Sequence, residues 1–365
     1  MPDFKFVDLR MDTSLAETLT ATNCIALDTE FVREKTYFSR LCLIQISNGT
    51  DIYCADPIGL ESADASRSHV FWEALMRPDW VLHSGRQDIE VLYQATQRMP
   101  ENIFDTQIAA ALLGYQPQIG YANLVADLFD VELAKSHTRA DWSRRPLPAS
   151  FMNYAAEDVL YLLPAKDVLS ERLEKLERLD WVLEDSADLL QTELYENDPE
   201  SAIGRIRGAG GLRGKSRSAA AALASWREKQ ALRSNRPRQW ILRDSVLLEL
   251  ASRRPASESE LREIDGLGAR TVERAGDEIL KMLHRANSAE NDYEPPPRPD
   301  EKQKKVLKEM QRRIAQCADE LGLASEIIAP KKDLTSALLG ARDIRLFKGW
   351  RRTVIGATLL ELLER

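Results

Sequence analysis

Apolar positions in the first 200 residues fall in short runs that alternate with helically spaced segments. Ile25–Phe31, Leu41–Ser47 and Asp51–Ala55 are such runs, and Asn48-Gly49 separates the second from the third. Short apolar runs bounded by turn residues read as strands. Asn-Gly between two of them favours a tight hairpin, which makes the second and third strands antiparallel. Trp80–His83 reads as a further strand. Helical spacing marks Val70–Met76, Asp88–Gln97, Thr106–Leu113 and Ala122–Leu128. A later helix, with Ala149-Ser150 as its cap, includes Phe151, Tyr154, Ala155, Val159 and Leu162. Glu171–Leu194 reads as one long, polar-rich outer helix.

The strand pattern stops near residue 200. Gly204–Gly214 holds five glycines with Arg205, Arg207 and Arg213, and Lys215 and Arg217 follow. That composition predicts a flexible basic joint. Helical segments Ser218–Leu232, Asp244–Ala251 and Arg270–Arg285 come next. Four prolines in Asn291–Pro299 mark a second linker, and Glu301–Arg365 is helical again, with turns near Gly322 and Pro330. A mixed α/β unit followed by two small helical units is the expected arrangement.

A chain of 365 residues has room for two or three domains. Its four cysteines, Cys24, Cys42, Cys54 and Cys317, lack CxxC spacing and read as small core hydrophobes. The N-terminus lacks the pattern of a signal peptide, and no apolar stretch approaches the roughly 18 residues of a membrane span. A reduced, cytoplasmic setting without a membrane partner is therefore expected. The net charge of −8 argues against nucleic acid only as an average. Ser201–Arg254 carries 13 Lys/Arg and 3 Asp/Glu, so this segment is near +10 and the rest near −18. Such polarity fits a basic surface for phosphate beside an acidic region that holds metal.

The acidic region has a definite centre. Asp28 and Glu30 lie two apart in an apolar strand, so both carboxylates point to one face. Like charges against a core are costly unless a cation offsets them, and hard carboxylate oxygens suit magnesium or manganese. Asp88 and Asp158 are the acids that can join them. Tyr154 lies four residues before Asp158, one turn away on the same helix face. Taken singly, Asp88 also suits a helix cap, Tyr154 a core position with a wet hydroxyl, and Asp158 a solvated helix face. Asp28 and Glu30 resist such a reading, because their strand is otherwise apolar.

Three motifs in order carry a family resemblance: Leu27-Asp28-Thr29-Glu30-Phe31, continuing through Tyr37 to Leu41–Ile46; His83–Glu90 around Asp88; and Tyr154–Pro164 around Asp158. With Phe104–Gln107 and Thr138–Leu147 between them, the chain resembles the ribonuclease D family of the DEDD 3′→5′ exonuclease superfamily. Tyr154, with Asn at 153, is similar to the tyrosine branch of that superfamily. The resemblance implies an RNase H-like α/β exonuclease domain, a mixed sheet flanked by helices, over residues 1–205. It implies a 3′→5′ exoribonuclease that releases nucleoside 5′-monophosphates and matures the 3′ ends of tRNA and other small structured RNAs. It implies catalysis by Asp28, Glu30, Asp88, Tyr154 and Asp158, with the four acids as ligands of two divalent cations, Mg2+ or Mn2+. Asp28 would bridge the ions and Tyr154 would aim the attacking water. A neutral phenol is a poor general base, which assigns Tyr154 to positioning.

Further candidates are weaker. Phe31 and Tyr37 are candidates for stacking on terminal bases. His83, Arg139, Trp142 and Arg145 are candidates for substrate contact, with Arg–Trp packing the alternative for the last three, and Asp105 is a candidate for a helix cap or for orienting a basic group. Arg205, Arg207, Arg213 and Lys215 in the basic joint are candidates for RNA binding. Residues 210–290 resemble the HRDC domain, a likeness carried by Arg262–Thr271 with Gly266 and Gly268. Residues 300–365 resemble a second, diverged HRDC-like bundle that lacks a comparable Gly-x-Gly turn. The rival readings are a DNA-directed 3′→5′ exonuclease and a non-catalytic RNA-binding protein that retains the fold.

Overall fold

The computed structural model describes residues 2–60, 65–133, 140–288 and 299–364. Two compact units emerge: Met1–Val32, Arg40–Leu194 and Arg298–Arg365 form the first, and Arg33–Ser39 with Tyr195–Pro297 the second.

The first unit is built on a six-stranded mixed sheet in the order β1-β4-β3-β2-β5-β6. Its strands are β1 (Lys5–Asp8), β2 (Cys24–Val32), β3 (Arg40–Ser47), β4 (Ile52–Asp56), β5 (Asp79–Leu82) and β6 (Ile103–Asp105). β3 runs antiparallel to both of its neighbours, β2 and β4, with the Asn48-Gly49 turn joining β3 to β4, and the β1–β4, β2–β5 and β5–β6 pairs are parallel. The strands β1 and β6 escape the hydrophobic pattern. β1 is an edge strand with one buried residue, and β6 has only three residues.

The helix Ala149–Leu160 packs on β2, β3 and β4. It buries Met152, Ala155, Ala156 and Val159, small residues that let its backbone approach the sheet. Pro148, extended at the N-cap position, precedes it, so the expected Ala149-Ser150 cap lies inside the helix. The long outer helix is also interrupted. Leu162–Lys175 ends where Glu177 turns left-handed, and Leu179–Ala187 starts afresh.

Residues 299–364 share the core of this first unit. Met310, Ile314, Ala318 and Leu346 lie in one apolar cluster with Ala155, Leu169 and Leu173. Trp350 stacks flat on Trp181 at 4.4 Å, and Arg351 forms a buried pair with Asp185. Arg178 bonds the carbonyls of both Leu112 and Leu321, at 2.9 and 2.7 Å. The tail therefore has its core in common with the rest of the first unit, where the sequence reading expects a bundle of its own.

The second unit is helical, with Gly214–Ser234, Asp244–Arg253 and Ala269–Ser288 as its main helices. The glycine-rich segment expected to be a flexible joint is part of its core. Ala202, Ile206 and Ala209 are buried against Leu223, Leu247 and Leu250. Apolar residues at this near-helical spacing anchor two 3-10 turns, Ala202–Arg205 and Ala209–Gly211. Among the described residues no helix is long and apolar enough to cross a membrane.

Candidate active site

β2 places Asp28 and Glu30 on the face covered by the helix Ala149–Leu160, and Thr29 on the other. Asp158 comes down from that helix. Ligand atoms of Asp28, Glu30 and Asp158 all lie within 4.8 Å of one another, drawn from residues 130 positions apart in sequence. The register shifts between Glu30 and Phe31, just past the acids, where Glu30 pairs with Leu43 and Phe31 with Leu41 and Cys42 of β3 is left as the extra residue of a bulge. Such bulges re-aim side chains beside active sites.

Asp88 is held next to this triad by a separate device. It lies in the first turn of the helix Arg86–Thr96 and is buried. One of its oxygens accepts from the Thr29 hydroxyl at 2.5 Å and from the Thr29 backbone N–H at 3.1 Å. The turn before the helix is tightly built. Ser84 is left-handed at φ 59°, and a Cβ on Gly85 would come within 2.7 Å of Leu82 Cβ. Asp105 holds that turn. Its buried carboxylate accepts from the backbone N–H groups of Ser84 (3.1 Å) and Gly85 (2.8 Å), and it also caps its own helix at Gln107 (2.8 Å) and Ile108 (3.3 Å).

The electrostatics follow from crowding acids in a desolvated site. Burial holds the Asp28 carboxyl well above the ordinary carboxylate range, reinforced by Asp88, Asp158 and Glu30. Burial, with Asp158 and Asp88, pushes Glu30 up to about 8. Burial raises Asp158 to about 7 and Asp88 to about 6, against the hydrogen bonds from Tyr154 and Thr29 respectively. Three oxygen donors so close, each disfavoured as an anion, form a donor set that a hard divalent cation fits.

Tyr154 hydrogen-bonds Asp158, and burial together with the surrounding acids pushes its phenol far up, so it remains neutral. Two aromatic residues that sequence reasoning undervalued support it. Trp142 is buried with its ring 5.1 Å from Phe151 and 6.3 Å from Tyr154. Tyr121 donates to the Glu157 carbonyl and accepts from the Tyr161 N–H, which secures the end of the helix Ala149–Leu160.

Several expected substrate contacts have other employment. Arg145 grips Asp56 with two hydrogen bonds, at 2.5 and 2.7 Å, and bonds the Cys42 and Trp142 carbonyls. His83 spends both ring nitrogens on Thr106 Oγ1 and the Ile119 carbonyl, each at 2.9 Å. Tyr37 is buried in the second unit, where its hydroxyl donates to Glu228 and accepts from Arg238 at 2.8 Å. A base has no access to the face over which the Arg238 guanidinium lies, 4.5 Å from the ring centre. Phe31 is half-buried and keeps part of its ring exposed. Arg139 lies outside the described residues. In the basic segment Arg205 pairs with buried Glu228 at 3.3 Å, and Arg213 bonds the Gly210 and Leu212 carbonyls, both at 2.7 Å. Arg207 and Lys215 are exposed.

Comparison with known proteins follows the same division of the chain. Residues 9–174 match the family model described as 3'-5' exonuclease, and residues 216–283 match that of the HRDC domain. Ribonuclease D of Gluconacetobacter diazotrophicus is 35% identical over 96% of this chain and 90% of its own length. Ribonuclease D of Pseudomonas paraeruginosa is 33% identical over 98% and 97%. The crystal structure of Escherichia coli RNase D, an exoribonuclease involved in structured RNA processing, superposes with a TM-score of 0.87 at 29% identity, covering 100% of this chain and 99% of that one. The catalytic core of RRP6 from Trypanosoma brucei gives a TM-score of 0.58 at 26% identity over 78% and 80%. With its carboxylate triad and these relatives spanning nearly its whole length, the chain belongs to the ribonuclease D family of hydrolytic 3′→5′ exoribonucleases.

Proposed function

We propose that this protein trims the 3′ ends of tRNA precursors and other small structured RNAs, releasing nucleoside 5′-monophosphates one at a time, with two divalent cations, Mg2+ or Mn2+. The observation that carries this reading is the meeting of Asp28, Glu30 and Asp158 within 4.8 Å. Asp28, Glu30 and Asp158 would hold the ions together with Asp88, which Thr29 fixes beside them. When bound, such cations supply a hydroxide nucleophile at neutral pH and stabilise charge on the leaving oxygen. Tyr154, kept neutral and bonded to Asp158, orients the attacking water and does not take its proton. Phe31 offers a ring to the terminal base.

RNA retention is assigned to the second unit, residues 210–290 of the HRDC reading. A cavity of about 580 Å³ there is lined by Arg236, Gln239, Trp240, Arg243, Gly268 and Thr271 among others, with no acid among the described residues of its wall. Trp240 is 55% exposed, unusual for so large a ring, and Arg236 lies 5.8 Å from its centre. An exposed aromatic face among cations suits an unstacked base and its phosphate. Arg207 and Lys215 add to the same charge.

One assay tests the reading. A 3′-extended tRNA and a matched DNA are incubated with Mg2+, with chelator, and with Asp28→Ala protein. Stepwise shortening of the RNA only in wild type with Mg2+ is the expected result. Shortening of DNA alone would assign the protein to DNA. Binding without shortening would leave it an RNA-binding protein on a nuclease fold.

A further inference from the structure

Gln45 sits near the middle of β3 with its side chain fully buried, and neither its Oε1 nor its Nε2 has a hydrogen-bond partner among the described residues. Strand register puts it directly between Asp28 on β2 and Cys54 on β4. Partners in such a row share one face of the sheet, with Cβ atoms about 4.5–5.5 Å apart. That face is covered by the helix Ala149–Leu160. Gln45's neighbours Ala26, Leu43, Ile52 and Cys54 form one apolar cluster with Ala155, Ala156 and Val159. An amide buried without a protein partner is costly and uncommon in a folded protein. Leucine or methionine would fill this slot without that cost. A glutamine therefore calls for a polar neighbour that becomes available in a working state of the protein.

The carboxylate next to it in register supplies one. We propose that Gln45 is a positioning residue for Asp28: in the cation-loaded protein its Nε2–H₂ group donates to the Asp28 carboxylate and fixes which oxygen faces the cations. The inference rests on the metal-site reading above. A bound cation keeps Asp28 ionised, and an amide donating to an ionised carboxylate makes a charge-assisted bond, stronger than a neutral one. Cys54, the neighbour on the other side, is held as a thiol by burial, its pKa pushed up to about 12. It offers a weak S–H donor and no competing acceptor charge. Ligand carboxylates held in this way by outer groups gain affinity and geometry, and loss of such a group typically costs 10–100-fold in metal affinity or activity.

Gln45→Met, close in volume and purely apolar, is the test. Mn2+ binding is followed by calorimetry, melting temperature is measured with and without Mn2+, and kcat and KM are determined on a 3′-extended RNA. The metal-free variant should melt about 2–4 °C higher than wild type, because an orphaned amide has been removed. Its Mn2+ Kd should rise about tenfold or more and kcat should fall by a similar factor, with KM for RNA little changed. A variant with wild-type Mn2+ affinity and kcat would overturn the proposal. Should Gln45→Met fail to fold, a Mn2+-loaded crystal of the wild type decides. Nε2 within hydrogen-bond distance of an Asp28 oxygen supports the role, and an amide still without a polar neighbour refutes it. Failure of the wild type to bind Mn2+ at all would instead sink the metal-site reading, which separates the two.

Discussion

Thr29 clasps Asp88: one residue of β2 gives both its hydroxyl and its backbone N–H to a single carboxylate oxygen 59 positions away. Thr29 lies between Asp28 and Glu30 but points to the opposite face of the sheet. The strand thus presents two carboxylates on one side and, from the other, steadies a third acid brought in by a helix. Thr29→Val keeps the shape and removes the hydroxyl. We expect the variant to fold, with kcat lowered about 10-fold and a raised Mg2+ requirement, while Thr29→Ser stays near wild type. A Mg2+ titration of the initial rate checks this, and a Val variant indistinguishable from wild type would deny the clasp a functional role.

Tyr154→Phe separates water positioning from metal binding. The phenol is neutral, so its loss removes a hydrogen bond and no charge. Mn2+ affinity should stay within about twofold of wild type. Cleavage should slow about 10²-fold or more, as expected when a reacting group is no longer held in place. Calorimetry beside single-turnover kinetics distinguishes the two effects. An unchanged single-turnover rate would remove Tyr154 from the reaction.

The acid cluster makes metal-free stability depend on pH in a defined direction. Glu30 titrates near 8 in the folded chain against an ordinary 4.5. The folded state therefore binds more protons than the unfolded state between those values, and the contribution of Glu30 to stability is lost as pH rises through that window. Asp158, raised to about 7, and Asp88, to about 6, act in the same sense. In chelator, the melting temperature should fall as pH increases from about 5 to 8. Glu30→Gln should flatten that slope, and saturating Mg2+ should abolish or reverse it. A chelated wild type that gains stability over this range would show the acids are not crowded as described.

How much of this was legible in the sequence depends on the range of the interaction. Asp28 and Glu30 stand out because two acids interrupt an apolar strand, and Tyr154 and Asp158 because one helical turn relates them. These are local patterns. Asp105 reads locally as a helix cap, which it is, but its grip on Ser84 and Gly85 is set by the pairing of β5 with β6. Arg145 looks like a phosphate ligand until Asp56, 89 positions away, claims its guanidinium. Gly204–Gly214 looks like a joint because glycine dominates its composition. The signal that it packs was present in Ile206 and Ala209, with Ala202 upstream, and was outweighed. Gln45 lies within the Leu41–Ile46 segment of the first motif and interrupts an apolar strand, but the meaning of that interruption comes from its register partner Asp28.

Asp105 is the residue whose loss should separate architecture from chemistry most sharply. Its buried carboxylate satisfies four backbone N–H groups: two in the turn that starts the Asp88 helix and two at the start of its own. Asp105→Ala would orphan these donors, and each lost bond to a charged group costs about 1.5–3 kcal/mol where it is fully buried. Part of that is regained by water and relaxation, so a loss of about 2–4 kcal/mol in chemical denaturation is expected. Ser84 holds an unfavourable left-handed backbone that Asp105 helps to maintain, and its release would move Asp88 away from Thr29. Activity should therefore fall further than the folded fraction does. Asp105→Asn keeps one acceptor oxygen and should restore a large part of the stability but less of the rate. An Asp105→Ala protein that loses stability yet, when folded, retains wild-type kcat and Mg2+ affinity would confine Asp105 to capping and leave the placement of Asp88 to Thr29 alone.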